Sequence, residues 1–117
     1  MMSVPDCLRE IDRKADMVLA LVEGSQTPCP ELLGAATALA RASTLALDAM
    51  AEDDTQVLET RITALLPLCQ QTQVAASGTA LWLVRRLLQE AMELARTLVG
   101  LWTVSISGSI GRWSAAR

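Results

Sequence analysis

The chain has 117 residues, a net charge of −3 from ten bases and thirteen acids, and no histidine. Its length suits one domain with a core that needs no staples, and the missing histidine excludes Ser-His and Cys-His nucleophile pairs, a histidine general base and any His-containing zinc site. Cys7, Cys29 and Cys69 are odd in number and widely spaced, which fits reduced, apolar packing residues better than a disulfide framework.

Leucine (19) and alanine (18) make up almost a third of the chain, while Phe and Tyr are absent. Both dominant residues favour helices, and the aromatic and β-branched enrichment of a sheet protein is missing. The expected class is all-α. In the first segment Val4, Leu8, Ile11, Ala15, Val18 and Val22 step by four and three, a heptad seam, with Ser3 as N-cap and Pro5 tolerated in the first turn. Gly24 is the expected stop, through a left-handed residue after the last turn.

Residues 25 to 31, SQTPCPE, read as a loop in which Thr27 or Cys29 caps the next helix. The second helix, from Glu31 to about Ala51, has a seam of Leu32/Leu33, Ala36, Leu39/Ala40, Ser43, Leu47 and Met50, crowded by alanines that would let a neighbour approach closely. Asp53 or Asp54 caps the third helix, which carries Val57/Leu58, Ile62, Leu65/Leu66 and Cys69. Pro67 lies inside that pattern and predicts a kinked helix running to about Ala76. Gly78 then offers a break before the strongest seam, Leu81, Val84, Leu88, Ala91/Met92, Ala95, Leu98 and Trp102. Short connections predict antiparallel neighbours. The expected fold is an up-down bundle of three long or four shorter helices over residues 1–103, with an extended tail at 104–117; continuity through Gly78 would fuse the last two helices.

Several chemistries are read and set aside. The uncharged run from Ile62 to Val84 has the length of a membrane span. Pro67, Gln70, Gln71, Thr72 and Gln73 in its middle are costly in hydrocarbon, so it reads as a helix end, a turn and a helix start. No basic and then apolar leader opens the chain, and a cytoplasmic protein is expected. Residues 1–60 hold eleven acids against four bases and residues 61–117 two against six; the bases are scattered, and phosphate binding ranks as a weak third reading. Asp12/Asp16 and Glu90/Glu93 are carboxylate pairs without the histidines of a di-metal bundle. SGSIGR, residues 107 to 112, lacks the strand-to-helix context of a phosphate cradle. Neither an enzyme nor a cofactor is expected.

A binding surface remains. Trp82, Leu94 and Leu101 lie off the main stripe of the last helix, which is apolar over more of its circumference than one seam uses. Either this is a central helix buried on several sides, or a second apolar face receives a partner helix. The candidate surface comprises Leu81, Trp82, Leu94, Leu98, Leu101 and Trp102. Beyond it Val104, Ile106 and Ile110 alternate with serines, a strand-like pattern that predicts either a flexible tail or an extended peptide docked on another protein through Ile106, Ile110 and Trp113.

This plan resembles the flagellar and type III export chaperones of the FlgN-like kind. Ser107-Gly108-Ser109-Ile110-Gly111-Arg112 corresponds to their Tyr-Gly-x-x-Gly-Arg tail, without the tyrosine. The resemblance implies a non-enzymatic chaperone whose last helix holds an amphipathic helix of a secreted substrate and whose tail docks at the export gate. The alternative is a small structural or regulatory homodimer that pairs the same face with its own copy.

Overall fold

The computed structural model describes residues 3–25, 29–78 and 81–108, the last four by their backbone alone. It contains four helices, α1 (Val4–Glu23), α2 (Pro30–Ala51), α3 (Thr55–Ala76) and α4 (Trp82–Gly108). Each helix packs against its chain neighbours, α4 closes the ring against α1, and neither diagonal pair meets among the described residues. This is the four-helix form of the up-down bundle.

The helix ends explain why the chain breaks where it does. At the start of α1 the Asp6 N–H donates to the Ser3 hydroxyl, and the Ser3 N–H donates back to the Asp6 carboxylate, each at 3.3 Å. This reciprocal pair satisfies two amide donors that would otherwise lack partners. The helix ends at Gly24, whose φ is −83°. The glycine is therefore right-handed, contrary to the sequence expectation, and its N–H simply continues the ladder to the Ala20 carbonyl at 3.0 Å.

The α2–α3 turn carries the left-handed residue instead, at Asp53 with φ 59°. The Asp53 N–H donates to the Met50 carbonyl and the Asp54 N–H to the Ala49 carbonyl, both at 3.2 Å. These two crossed bonds are the Schellman closure, in which glycine normally occupies the position held here by Asp53. Asp54 then caps α3, its carboxylate accepting from the Val57 N–H at 3.1 Å. Thus one tight turn ends one helix and starts the next.

α3 continues through Pro67 to Ala76. Proline has no N–H, so the Thr63 carbonyl lacks its usual intrahelical donor. Both residues are exposed, and water can serve that carbonyl. α3 ends at Ala76, α4 begins at Trp82 and the two pack against each other, so they do not fuse into one rod.

The core runs along the facing stripes. All six residues of the α1 seam are buried, joined by Cys7. α2 contributes Leu32, Ala36, Leu39, Ala40, Ser43, Ala46 and Ala49. Its second half departs from the expected register, since Ala46 and Ala49 replace Leu47 and Met50 as the buried positions. Small side chains let the neighbouring helices come close, while the longer Leu47 and Met50 cover the edges of the same seam.

Two buried hydroxyls link α2 to its neighbours. The Ser43 hydroxyl lies 2.8 Å from Asp12 Oδ1 on α1 and 2.9 Å from the Ala40 carbonyl. The Thr72 hydroxyl lies 2.7 Å from the Leu68 carbonyl and 3.3 Å from that of Ala35 on α2. Each sits wholly inside the bundle with an acceptor in reach, as a buried polar group requires.

The helical part of the chain runs past residue 103. α4 extends to Gly108 and takes in Val104 and the backbone of Ile106, so the first part of the strand-like alternation is helical. Extending an existing helix adds a hydrogen bond per residue without a nucleation cost, whereas a lone strand in a helical bundle has no neighbour to pair with. Ile110 and Trp113 lie outside the described residues.

Candidate partner-binding surface

The six candidates on the last helix divide into three groups. Leu98 and Trp102 are core residues, 0% and 3% exposed, and are removed from the candidate surface. Their spacing explains it: both continue the stripe of Val84, Leu88, Ala91 and Ala95 that faces the bundle interior. Leu81, Leu94 and Leu101 are half-buried and pack against that core. Trp82 is 61% exposed. The side chain of Ile106 is outside the described set.

The half-buried leucines lie on different flanks of α4. Leu87, Leu94 and Leu101 recur at heptad spacing, and Glu90 falls between the first two on the same flank. That flank faces α1, because Glu90 Oε1 accepts from Lys14 Nζ at 3.1 Å. Leu83, one turn before Leu87, extends the row and is 38% exposed. Leu81 lies on the opposite flank, toward α3.

Antiparallel counting from the Lys14–Glu90 contact brings Leu21 level with Leu83 and Met17 level with Leu87. Leu21 is half-buried and Met17 is 41% exposed. The outer groove between α1 and α4 is therefore apolar in the half nearest the α3–α4 turn. Met17 and Leu83 were not singled out from the sequence; counting α1 against α4 would have found them, but only once the two were known to be neighbours.

A charge cluster closes the groove below this apolar half. Lys14 bridges Glu10 at 3.4 Å and Glu90 at 3.1 Å, and Arg86 Nε meets Glu90 Oε2 at 3.4 Å. The Lys14 hydrogen bond is the largest influence holding the Glu90 carboxyl below its ordinary range, with Arg86 adding to it. The Lys14 side chain is only 17% exposed, so its attraction is less screened than at an open site.

Trp82 itself points away from the core. It lies nearly opposite the buried stripe on the helix circumference, and Arg85 and Arg86 stand one turn further on, to either side of it. Both arginines are exposed. The first turn of α4 contains no acid, although acids are the residues that the positive end of a helix favours.

Other reactive groups are placed away from this surface. Cys7 and Cys69 are buried, and burial pushes the Cys69 thiol up to about 11. Asp12 is engaged by Ser43 and Thr44 across the α1–α2 seam. Burial first, then the Asp12 charge, pushes Asp16 up. No helix among the described residues is long and apolar enough to cross a membrane. No family model, curated protein or solved structure matches the chain.

Proposed function

We propose that this protein is a non-enzymatic adaptor of the export-chaperone kind, which holds an amphipathic helix of a secreted client against the outer face of α4. The client class follows the FlgN-like resemblance, that is, a flagellar or type III secretion substrate. The observation that carries the reading is Trp82, exposed beside Leu83 while the interior stripe of α4 is complete without either. Tryptophan is enriched among residues that dominate binding energies, and an apolar row at helical spacing is how a groove receives a partner helix. Leu81 borders the surface on the opposite flank, Leu94 and Leu101 lie beyond the Lys14–Glu90 cluster, and Leu98 and Trp102 hold the bundle together.

The test combines sedimentation with a single substitution. The purified chain is expected to be monomeric and to form a one-to-one complex with an amphipathic client segment. Trp82→Ala should weaken that complex about thirtyfold or more, the scale of a binding hot spot, with the fold intact by circular dichroism. A stable dimer that Trp82→Ala dissociates would transfer the surface to self-association. Client binding unaffected by Trp82→Ala would overturn the reading.

A further inference from the structure

The apolar patch has a charge of its own. Trp82 and Leu83 are exposed, Arg85 and Arg86 stand one turn on to either side of Trp82, and the α1 residues that face Leu83 across the groove are Met17 and Leu21. The first acid along α4 is Glu90, already engaged by Lys14 and Arg86. Asp16 and Glu23, the acids of the matching half of α1, fall on its opposite flank, toward α2.

The net charge of −3 misdescribes this region. Glu52, Asp53 and Asp54 sit in the α2–α3 turn, at the other end of the bundle from Trp82. The 22 residues of α3 separate the two ends, about 33 Å at ~1.5 Å per residue. Screening at physiological salt acts over about 8 Å, and Glu31, at the same end as Trp82, stands on α2, the helix diagonal to α4, so a segment docking at Trp82 meets the two guanidinium groups rather than the acids of other helices.

We infer that the occupant of this surface is an acidic amphipathic segment of the partner protein, its apolar face covering Trp82 and Leu83 and its carboxylates meeting Arg85 and Arg86. The inference rests on the adaptor reading above and narrows the client to one class of charge. A basic amphipathic helix would bury the same apolar area but set its cations against both arginines, a mismatch that costs affinity and suppresses wrong partners.

The experiment uses two synthetic amphipathic peptides with one shared leucine face, one with glutamates and the other with lysines on the polar face. Each is titrated into the full chain and followed by fluorescence anisotropy. The glutamate peptide is expected to bind at least ~10-fold more tightly at physiological salt, and ~1 M salt should largely erase the difference. The double variant Arg85→Gln/Arg86→Gln should remove the preference, and Arg85→Glu/Arg86→Glu should invert it, both with unchanged helicity.

Equal affinities for the two peptides, with Trp82→Ala still damaging both, would refute the charge selection and leave the adaptor reading standing. Failure of both peptides to bind would refute the two together. Binding to vesicles rich in phosphatidylglycerol, with no preference between the peptides, would replace an acidic partner with an anionic membrane surface.

Discussion

The two tryptophans of α4 predict opposite outcomes when each is reduced to alanine. Trp102 is 3% exposed and closes the core stripe of α4. Removing a buried tryptophan loses both its transfer energy and the packing around the void, about 3–5 kcal/mol. A chain of this size has about 5–15 kcal/mol of total stability, so Trp102→Ala consumes a large share of it. At ~3–5 °C per kcal/mol the melting temperature should fall by about 10–25 °C. Trp82, more than half exposed, has little packing to lose, and Trp82→Ala should stay within about 0.5 kcal/mol of the parent.

Thermal unfolding followed by far-ultraviolet circular dichroism measures both changes, and near-ultraviolet spectra report whether the remaining core stays ordered. A Trp102→Ala protein melting within a few degrees of the parent would refute the placement of that ring. A Trp82→Ala protein as unstable as Trp102→Ala would show that Trp82 packs within the bundle and would remove the surface from which the functional reading starts. The contrast also governs interpretation, because a Trp102 variant that lost its partner would have lost it by unfolding.

Asp53 occupies a left-handed position in the α2–α3 closure, so Asp53→Val should destabilise by about 1 kcal/mol or more, read by urea denaturation; an unchanged midpoint would contradict that backbone geometry. The Glu90 carboxyl is held below its ordinary 4.5 by Lys14 and Arg86, so its contribution is present above that pH and is lost as pH falls through the lower folded value. Glu90→Gln should accordingly melt below the parent at pH 7, and the gap should close as the pH falls through that lowered folded value; a gap independent of pH would sink the ion-pair account. Of the three thiols, half-buried Cys29 should react first with a disulfide reagent in the folded protein, while Cys7 and Cys69 should wait for unfolding. Rapid labelling of Cys69 in the native state would contradict its burial.

Much of this bundle is readable from spacing, and the exceptions have physical causes. The buried seam of α1 is fully legible because large and small, apolar and charged residues alternate with a clean heptad contrast, although the manner of its ending at Gly24 is not. The second half of α2 is not. Among its alanines the larger Leu47 and Met50 draw the eye, yet close approach favours Ala46 and Ala49 inside. On α4 the pattern already placed Leu98 and Trp102 in the interior stripe, and their inclusion in a binding surface rested on residue type rather than phase. Trp82, off the stripe, obeyed its phase. The end of α4 misled for a different reason: alternation between Val104 and Ile106 has a two-residue period, but it follows a long helix that needs no new nucleus to continue. Met17 and Leu21 join the surface only through the α1–α4 contact, which is long-range and invisible to local periodicity.

An even number of alternating helices has a geometric outcome for anyone who wants to handle the molecule. By the antiparallel count from Lys14 and Glu90, the first turn of α1 lies level with residues 97–100 of α4, which runs about two turns further to Gly108; both helix ends stand at the pole opposite Trp82 and Leu83. A fluorophore or a surface linker fixed to the first turn of α1 or to the α4 surface near Thr103 would therefore hang from the far pole. The tryptophan tip would remain unobstructed for immobilised capture assays whichever of these two attachment points is chosen.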